Sequence, residues 1–339
     1  MNTKKIMWSI LLILIVAMSL FVIVNVDSNN DVENVANVVN NKHTSEKFDK
    51  TKIVVSNFAS YDFLRAIIGE NNNIELKFLL GPGKDSHSYD PTAQDLITIQ
   101  NADLFVYVGG EMERWSDKVL NSLKNEKTKI ICVADDVKLI EEKEIDGAEE
   151  HEEEHEEGAF NEHIWTSPEN AIIMINSLEK VMEEIDPQNK DKYLVNAQNY
   201  IEKIKALDKQ IQEIVDNKVR NRLVFGDKMP MQYFMEYYGI EVSAAFKGCS
   251  TETDPSSKTI AYLVSVAKNE ETPVILYIEL NNGKVASTIA NEVANETGRE
   301  CIAMQIQTLH NVSKDDFDNG ETWVSLMERN IDVLKKALQ

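Results

Sequence analysis

Three histidines occupy positions in the sequence where they could share a metal ion. His87 directly follows a predicted strand, His163 precedes a predicted helix start, and His310 follows the last predicted strand. Open α/β sheets bind ligands beyond the carboxyl ends of their strands, so such junctions are typical places for a site. Neutral imidazole is a good ligand for zinc and related divalent metals. An isolated loop histidine is usually only a solvated polar side chain, so the prediction depends on all three lying together.

Two further histidines lie in a strongly acidic segment. His151 and His155 stand four residues apart within the run Glu149–Glu157, and the surrounding loop 141–162 holds twelve carboxylates and one lysine. Like charges repel, which favours a solvated loop that does not fold by itself. Imidazole and carboxylate groups also suit divalent metals, so the alternative is a secondary, low-affinity metal site. The sixth histidine, His43, lies in a predicted tether and is assigned no role.

The elements that must position these histidines alternate between strands and helices. Short β-branched runs alternate with helical patterns on both sides of one long helical stretch, which favours parallel sheets covered by helices. Within that stretch, apolar residues recur at spacings of three and four, from Tyr193 to Ile214. The predicted fold class is therefore α/β, with two Rossmann-like α/β lobes joined by a long rigid helix. The predicted segments are a signal anchor or signal peptide (1–27), a flexible tether (28–52), an N-terminal lobe (53–185), a linking helix (186–218) and a C-terminal lobe (219–339).

The N-terminal segment predicts the cellular compartment in which the rest of the protein lies. Lys4 and Lys5 precede 21 uncharged residues, Ile6–Val26, which are enough to span a bilayer with the basic end in the cytoplasm. We expect an uncleaved signal anchor, with a cleaved secretory signal as the alternative. In both cases the rest of the protein is extracytoplasmic, either tethered to the outer face of the membrane or secreted.

Composition and motifs exclude several classes of protein. The chain has 339 residues, 43% of them hydrophobic, which excludes global disorder. Its 35 basic and 57 acidic residues give a net charge of −22, which argues against a nucleic acid partner. Three cysteines without a C-x-x-C pair exclude a disulfide-built scaffold. H-E-x-x-H, G-x-S-x-G and the glycine-rich phosphate-binding motifs are absent from the sequence, so we predict that the protein is not an enzyme.

Four spaced motifs resemble the zinc/manganese solute-binding proteins of bacterial ABC importers. They are His87-Ser-Tyr-Asp-Pro91, Asn101-Ala-Asp103, Gly109-Gly-Glu-Met-Glu-Arg-Trp115 and His163-Ile-Trp-Thr-Ser-Pro-Glu-Asn170. The resemblance covers nearly everything from Ile53 to Leu338. It implies two α/β lobes linked by one long helix, a metal held in the interlobe cleft, and His87 and His163 as ligands.

The second lobe departs from the family pattern. The family offers a histidine or glutamate ligand in the first strand-to-helix turn of that lobe, where this chain has Asp227 as the nearest substitute. It offers an aspartate after the last strand, where this chain has His310. The candidate second-lobe ligands are therefore His310 and Asp227, with Glu279 as a weaker candidate.

Together these features predict a monomeric, extracytoplasmic receptor that captures a divalent metal ion and delivers it to an ABC importer permease. Imidazole-rich ligation favours Zn²⁺, and added carboxylates would favour the alternative, Mn²⁺. Two other classes stay open at this point, a secreted zinc-dependent hydrolase and a surface adhesin.

Overall fold

The structure is a computed structural model that describes residues 50–84, 86–123, 127–149, 160–248, 250 and 254–339. Lys50–Gln339 forms one compact unit. The predicted signal segment and nearly all of the tether lie outside the described residues. Within the described part of the chain, no helix combines the length and apolar character needed to cross a membrane.

The first lobe is built on a parallel four-stranded sheet with the strand order β2-β1-β3-β4. Its strands are β1 (Thr51–Val55), β2 (Ile74–Phe78), β3 (Leu104–Tyr107) and β4 (Lys129–Cys132), and the helices between them are α1 (Phe58–Ile68), α2 (Ala93–Gln100) and α3 (Trp115–Ser122). β1 and β3 are central, and their apolar residues are buried on both faces of the sheet. Because the strands are parallel, the loops after β2 and β3 lie at the same edge of the sheet, that of the carboxyl ends.

The second lobe repeats this arrangement with the order β6-β5-β7-β8. Its strands are β5 (Arg222–Met229), β6 (Glu241–Lys247), β7 (Val274–Ile278) and β8 (Ile302–Ile306). Its helices, numbered after the two that join the lobes, are α6 (Gln232–Tyr238), α7 (Ser257–Asn269), α8 (Lys284–Thr297), α9 (Lys314–Asp318) and α10 (Trp323–Leu338). The predicted α/β fold class, with two such lobes, is confirmed.

Two helices join the lobes. α4 (Pro168–Ile185) begins after Ser167, whose side chain accepts a hydrogen bond from the Asn170 backbone N–H, and a 3₁₀ turn at Pro187–Asn189 separates it from α5 (Lys190–Asp216). α5 has 27 residues, about 40 Å of helix. The apolar positions predicted from its period are all buried, and they pack against α1, α4 and α10. Because α10 also packs on β5 and β8, α5 contacts both lobes.

A segment of the first lobe pairs with the second sheet. Residues 140–149, here called the strap, follow β4 and run beside β6, the edge strand of the second sheet. The Glu149 N–H donates to the Ala245 carbonyl at 3.0 Å, and the Ala244 N–H donates to the Asp146 carbonyl at 3.2 Å. The chain then returns at Phe160, which forms an antiparallel bridge with Glu141. The strap thus covers an edge that would otherwise present unpaired backbone groups.

One strand is longer than predicted. The sequence suggests that β5 ends at Phe225 and that a turn follows, but the strand continues to Met229 with a register shift between Phe225 and Lys228. Such a bulge lets the strand bend without ending. Asp227 therefore lies inside a buried strand.

Candidate metal centre

The three candidate histidines converge between the two lobes. His87 and His163 come from first-lobe loops and His310 from the loop after β8, yet one ring nitrogen from each lies within 4.8 Å of the others. The ring centroids are 5.7 Å apart for His87 and His163, 4.9 Å for His87 and His310, and 5.4 Å for His163 and His310. We call these three residues the histidine cluster.

The second motif histidine, His163, is positioned by its own segment. Its backbone N–H donates to Asn161 Oδ1 at 3.1 Å, and its ring Nδ1 lies 3.2 Å from the same oxygen. If Nδ1 carries the proton, it donates to that oxygen and leaves the Nε2 lone pair for a metal. Nε2 is buried and has no hydrogen-bond partner among the described residues. An unpartnered buried nitrogen facing two other imidazoles fits a metal ligand.

Burial keeps His163 neutral. The side chain is fully buried, and this loss of hydration lowers the pKa well below the ordinary value of 6.5. Charges on His310, His87 and Lys228 would lower it further. A metal must displace a proton from a charged imidazole, so a neutral ring is ready for coordination at neutral pH.

The ring of His310 contacts a side chain of the first lobe. Its Nε2 lies 2.7 Å from Ser86 Oγ, the residue immediately before His87. One tautomer of the imidazole donates to the hydroxyl and the other accepts from it, and in both cases the contact fixes the ring plane.

Two buried carboxylates, Glu113 of the third motif and Glu162 just before the fourth, shape the loops around the cluster. Glu113 accepts from the Val108 and Gly109 N–H groups at 2.7 and 2.9 Å, so it closes the turn after β3. Burial raises the pKa of Glu113, and these hydrogen bonds offset part of that rise. Glu162, next to His163, accepts from the Met112 N–H at 2.6 Å. The G-x-x-x-E-x-W turn thus supports the His163 segment.

The other two second-lobe candidates, Asp227 and Glu279, are not part of the histidine cluster. Asp227 accepts from the Ile278 N–H at 3.0 Å and the Lys228 N–H at 2.8 Å, so its carboxylate ties the β5 bulge to the end of β7. The group of potential ligands that the structure brings together within the described ranges contains the three histidines alone. The predicted turn around Asp227 is instead part of a strand, which directs the carboxylate to backbone donors.

Glu279, like Asp227, accepts hydrogen bonds from nearby backbone N–H groups. Its two oxygens accept from the Thr308 N–H at 2.8 Å, the Thr308 hydroxyl at 2.9 Å and the His310 N–H at 2.9 Å. Burial raises the pKa of Glu279, and the hydrogen bonds from Thr308 and Asn311 lower it in part. This carboxylate holds the loop that carries His310.

Sequence reasoning missed two polar residues that contact the histidine rings, Ser86 and Asn161. Ser86 and Asn161 stand within two residues of a candidate histidine, and such polar neighbours are the only local signal of their role. His151 and His155 lie outside the described residues, and so does most of the run around them. The strap places the start of that run, Glu149, beside β6.

Comparison with known proteins agrees with this architecture. The sequence profile of the family "zinc-uptake complex component A, periplasmic" matches residues 53–337. The chain belongs to this family. The resemblance deduced from the four motifs is therefore confirmed.

Individual relatives support the same assignment. The chain is 30% identical over 294 residues to the zinc-binding lipoprotein AdcA of Streptococcus pneumoniae, across 85% of this chain and 56% of that protein. It thus spans little more than half the length of the AdcA proteins. It is 29% identical over 301 residues to the high-affinity zinc uptake system protein ZnuA of Bacillus subtilis, across 86% of this chain and 89% of that protein. The crystal structure of the Zn(II)-bound ZnuA-like domain of S. pneumoniae AdcA matches with a TM-score of 0.68 and 28% identity, across 85% of this chain and 99% of that domain.

Proposed function

We propose that this protein is an extracytoplasmic receptor that binds one Zn²⁺ through His87, His163 and His310 and delivers it to an ABC importer permease. The observation that carries the proposal is the convergence of three imidazoles from two lobes, with ligand atoms within 4.8 Å of one another. A tetrahedral zinc ion accepts three such nitrogens and one further donor. The zinc-binding relatives support the choice of metal.

Zinc fits the cluster better than manganese does. Imidazole suits zinc, whereas carboxylate, carbonyl and water ligands suit manganese. The two buried second-lobe carboxylates, Asp227 and Glu279, are occupied by backbone donors.

In this proposal the protein makes and breaks no covalent bond. It binds the ion, excludes water from it and presents it to a membrane partner. The predicted N-terminal anchor would keep the receptor at the outer face of the membrane. The acidic loop with His151 and His155 would supply a secondary, low-affinity metal site near the strap.

The test is a metal titration of the full chain by calorimetry, with elemental analysis of the product. We expect one tight Zn²⁺ per chain, weaker Mn²⁺ binding, and no tight site after His87→Ala or His163→Ala, because a lost ligand leaves an incomplete coordination shell. Unchanged zinc affinity in both variants would contradict the proposal. Hydrolysis of generic esters by the zinc-loaded chain would favour a hydrolase instead.

A further inference from the structure

The loop that carries His310 is held in an unusual backbone conformation. Leu309 has φ = +60°, in the left-handed region that residues other than glycine rarely adopt. Glu279 holds this conformation from the second lobe through its bonds to the N–H groups on both sides of Leu309, those of Thr308 and His310. The hydrogen bonds from Thr308 and His310 to Glu279 therefore fix the backbone position of His310.

The next residue, Asn311, connects this loop to the first lobe. Its side chain is buried, and its Nδ2 donates to the Gly81 carbonyl at 3.2 Å and to the Lys84 carbonyl. Its Oδ1 accepts from the Val312 N–H at 2.6 Å, which fixes the orientation of the amide. A parallel backbone bond runs from the Gly83 N–H to the Val312 carbonyl at 2.8 Å.

The two carbonyls that Asn311 contacts belong to the turn that leads from β2 to His87. One amide therefore fixes the loop bearing His310 to the loop bearing His87, although the two loops come from different lobes. The rings of these histidines are stacked, with centroids 4.9 Å apart.

We propose that Asn311 is a positioning residue that fastens the two ligand loops together, so that His87 and His310 are held close to the geometry in which they bind the ion. The inference rests on the proposed function. Ligands held close to their final geometry lose less freedom on binding, so the affinity for the ion rises. An amide suits this role because its nitrogen donates twice while its oxygen accepts.

Asn311→Asp is the sharpest test because it keeps the shape of the side chain and removes both donors. A carboxylate oxygen would then face the carbonyls of Gly81 and Lys84. Asn196→Asp is the matched control, since Asn196 Nδ2 donates to the Ile67 carbonyl at 2.9 Å, between α5 and α1. Asn311→Ser, which is too short to reach both carbonyls, provides a second variant that carries no new charge.

The readouts are zinc affinity of the full chain, the visible absorption of the Co²⁺-loaded protein, and thermal unfolding without metal. We expect both Asn311 variants to bind zinc about tenfold more weakly or worse and to change the Co²⁺ spectrum, as for other residues that orient metal ligands. Asn196→Asp should leave the zinc affinity and the Co²⁺ spectrum unchanged, even if it lowers the thermal stability as much as the Asn311 variants do. If both Asn311 variants match the wild type in affinity and spectrum, the inference is overturned. If the wild-type chain binds no zinc, the proposed function itself fails.

Discussion

His310 and Asp227 were both candidate ligands from the second lobe, and the structure separates them. The His310 ring stacks on that of His87, whereas Asp227 accepts hydrogen bonds from the Ile278 and Lys228 N–H groups. We therefore expect His310→Ala to weaken zinc binding at least tenfold, or about 1.4 kcal/mol. Asp227→Asn, which keeps the shape, should have a smaller effect on affinity and lower the stability of the fold. Competitive zinc titration combined with urea unfolding distinguishes the two outcomes, and the reverse ranking of affinities would return the ligand role to Asp227.

The buried imidazole of His163 makes stability depend on pH. Its pKa is lowered in the folded protein, mainly by burial, while the unfolded chain keeps the ordinary value of 6.5. Below pH 6.5, His163 binds a proton in the unfolded state but stays neutral in the folded state. The unfolded state is therefore stabilised as the pH falls, and the free energy of unfolding decreases. Relative to His163→Gln, the zinc-free wild type should lose up to about 1.4 kcal/mol per pH unit below 6.5. Urea unfolding of both proteins at several pH values from 7.5 to about 5 measures the difference; parallel curves would contradict the expectation.

Only part of the candidate centre could be predicted from sequence. His87, His163 and His310 stand out because a histidine beside a strand end is a local feature of the chain. The roles of Ser86 and Asn311 depend on contacts with residues more than 220 positions away. Each of these two residues stands next to a candidate histidine, but the local sequence does not show which distant groups they contact, so these contacts are visible only in the folded protein.

At the scale of elements, periodicity was a reliable guide because it reflects which side chains are buried. Periodicity predicted the buried face of α5, and short β-branched and apolar runs predicted the eight strands. These patterns failed for β5, where Gly226 and Asp227 resemble a turn, and for the strap, whose acidic residues carry no strand pattern. The strap is ordered by pairing with β6, a partner about one hundred residues later in the chain.

The packing of the strap against the second lobe can be tested at Gly147. This glycine has φ = +87°, and a Cβ there would lie 2.6 Å from the Tyr262 ring. Gly298 has φ = +69° with nothing within 4 Å of the same position, so it controls for backbone strain alone. We expect Gly147→Ala to lower the free energy of unfolding by about 1–3 kcal/mol more than Gly298→Ala does. If urea unfolding gives the same loss of unfolding free energy for both variants, the strap accommodates the added methyl group and the expectation is wrong.

The acidic loop and the histidine cluster should act as separate sites. Replacing His151 and His155 together by alanine removes the imidazoles of the loop and leaves the strap and the cluster unchanged. Calorimetry should then show the tight zinc equivalent intact and fewer weak equivalents, since a segment that orders on binding binds weakly. Loss of the tight equivalent would assign a primary ligand to the loop.

At the scale of the whole molecule, zinc should stabilise both lobes together. The proposed ligands come from both lobes, and α5 packs against helices of each. An ion that binds only the folded state adds about 2.7 kcal/mol when its concentration is 100 times the dissociation constant. Differential scanning calorimetry should therefore show a single transition that moves to higher temperature with zinc. Two transitions, of which only one responds to zinc, would mean that the lobes unfold independently.

The strap also sets an order of events during protein synthesis. Asp146 pairs with Ser243, so the strap is made long before its partner strand exists. At a translation rate of ~5–20 residues per second, the ribosome needs roughly 5–20 s to supply the missing stretch. During that interval the first four strands can pair with one another, while the strap has no β6 to pair with. The carboxylates of the strap oppose its association with other chains while it has no partner strand, which is a role for this charge that does not depend on metal.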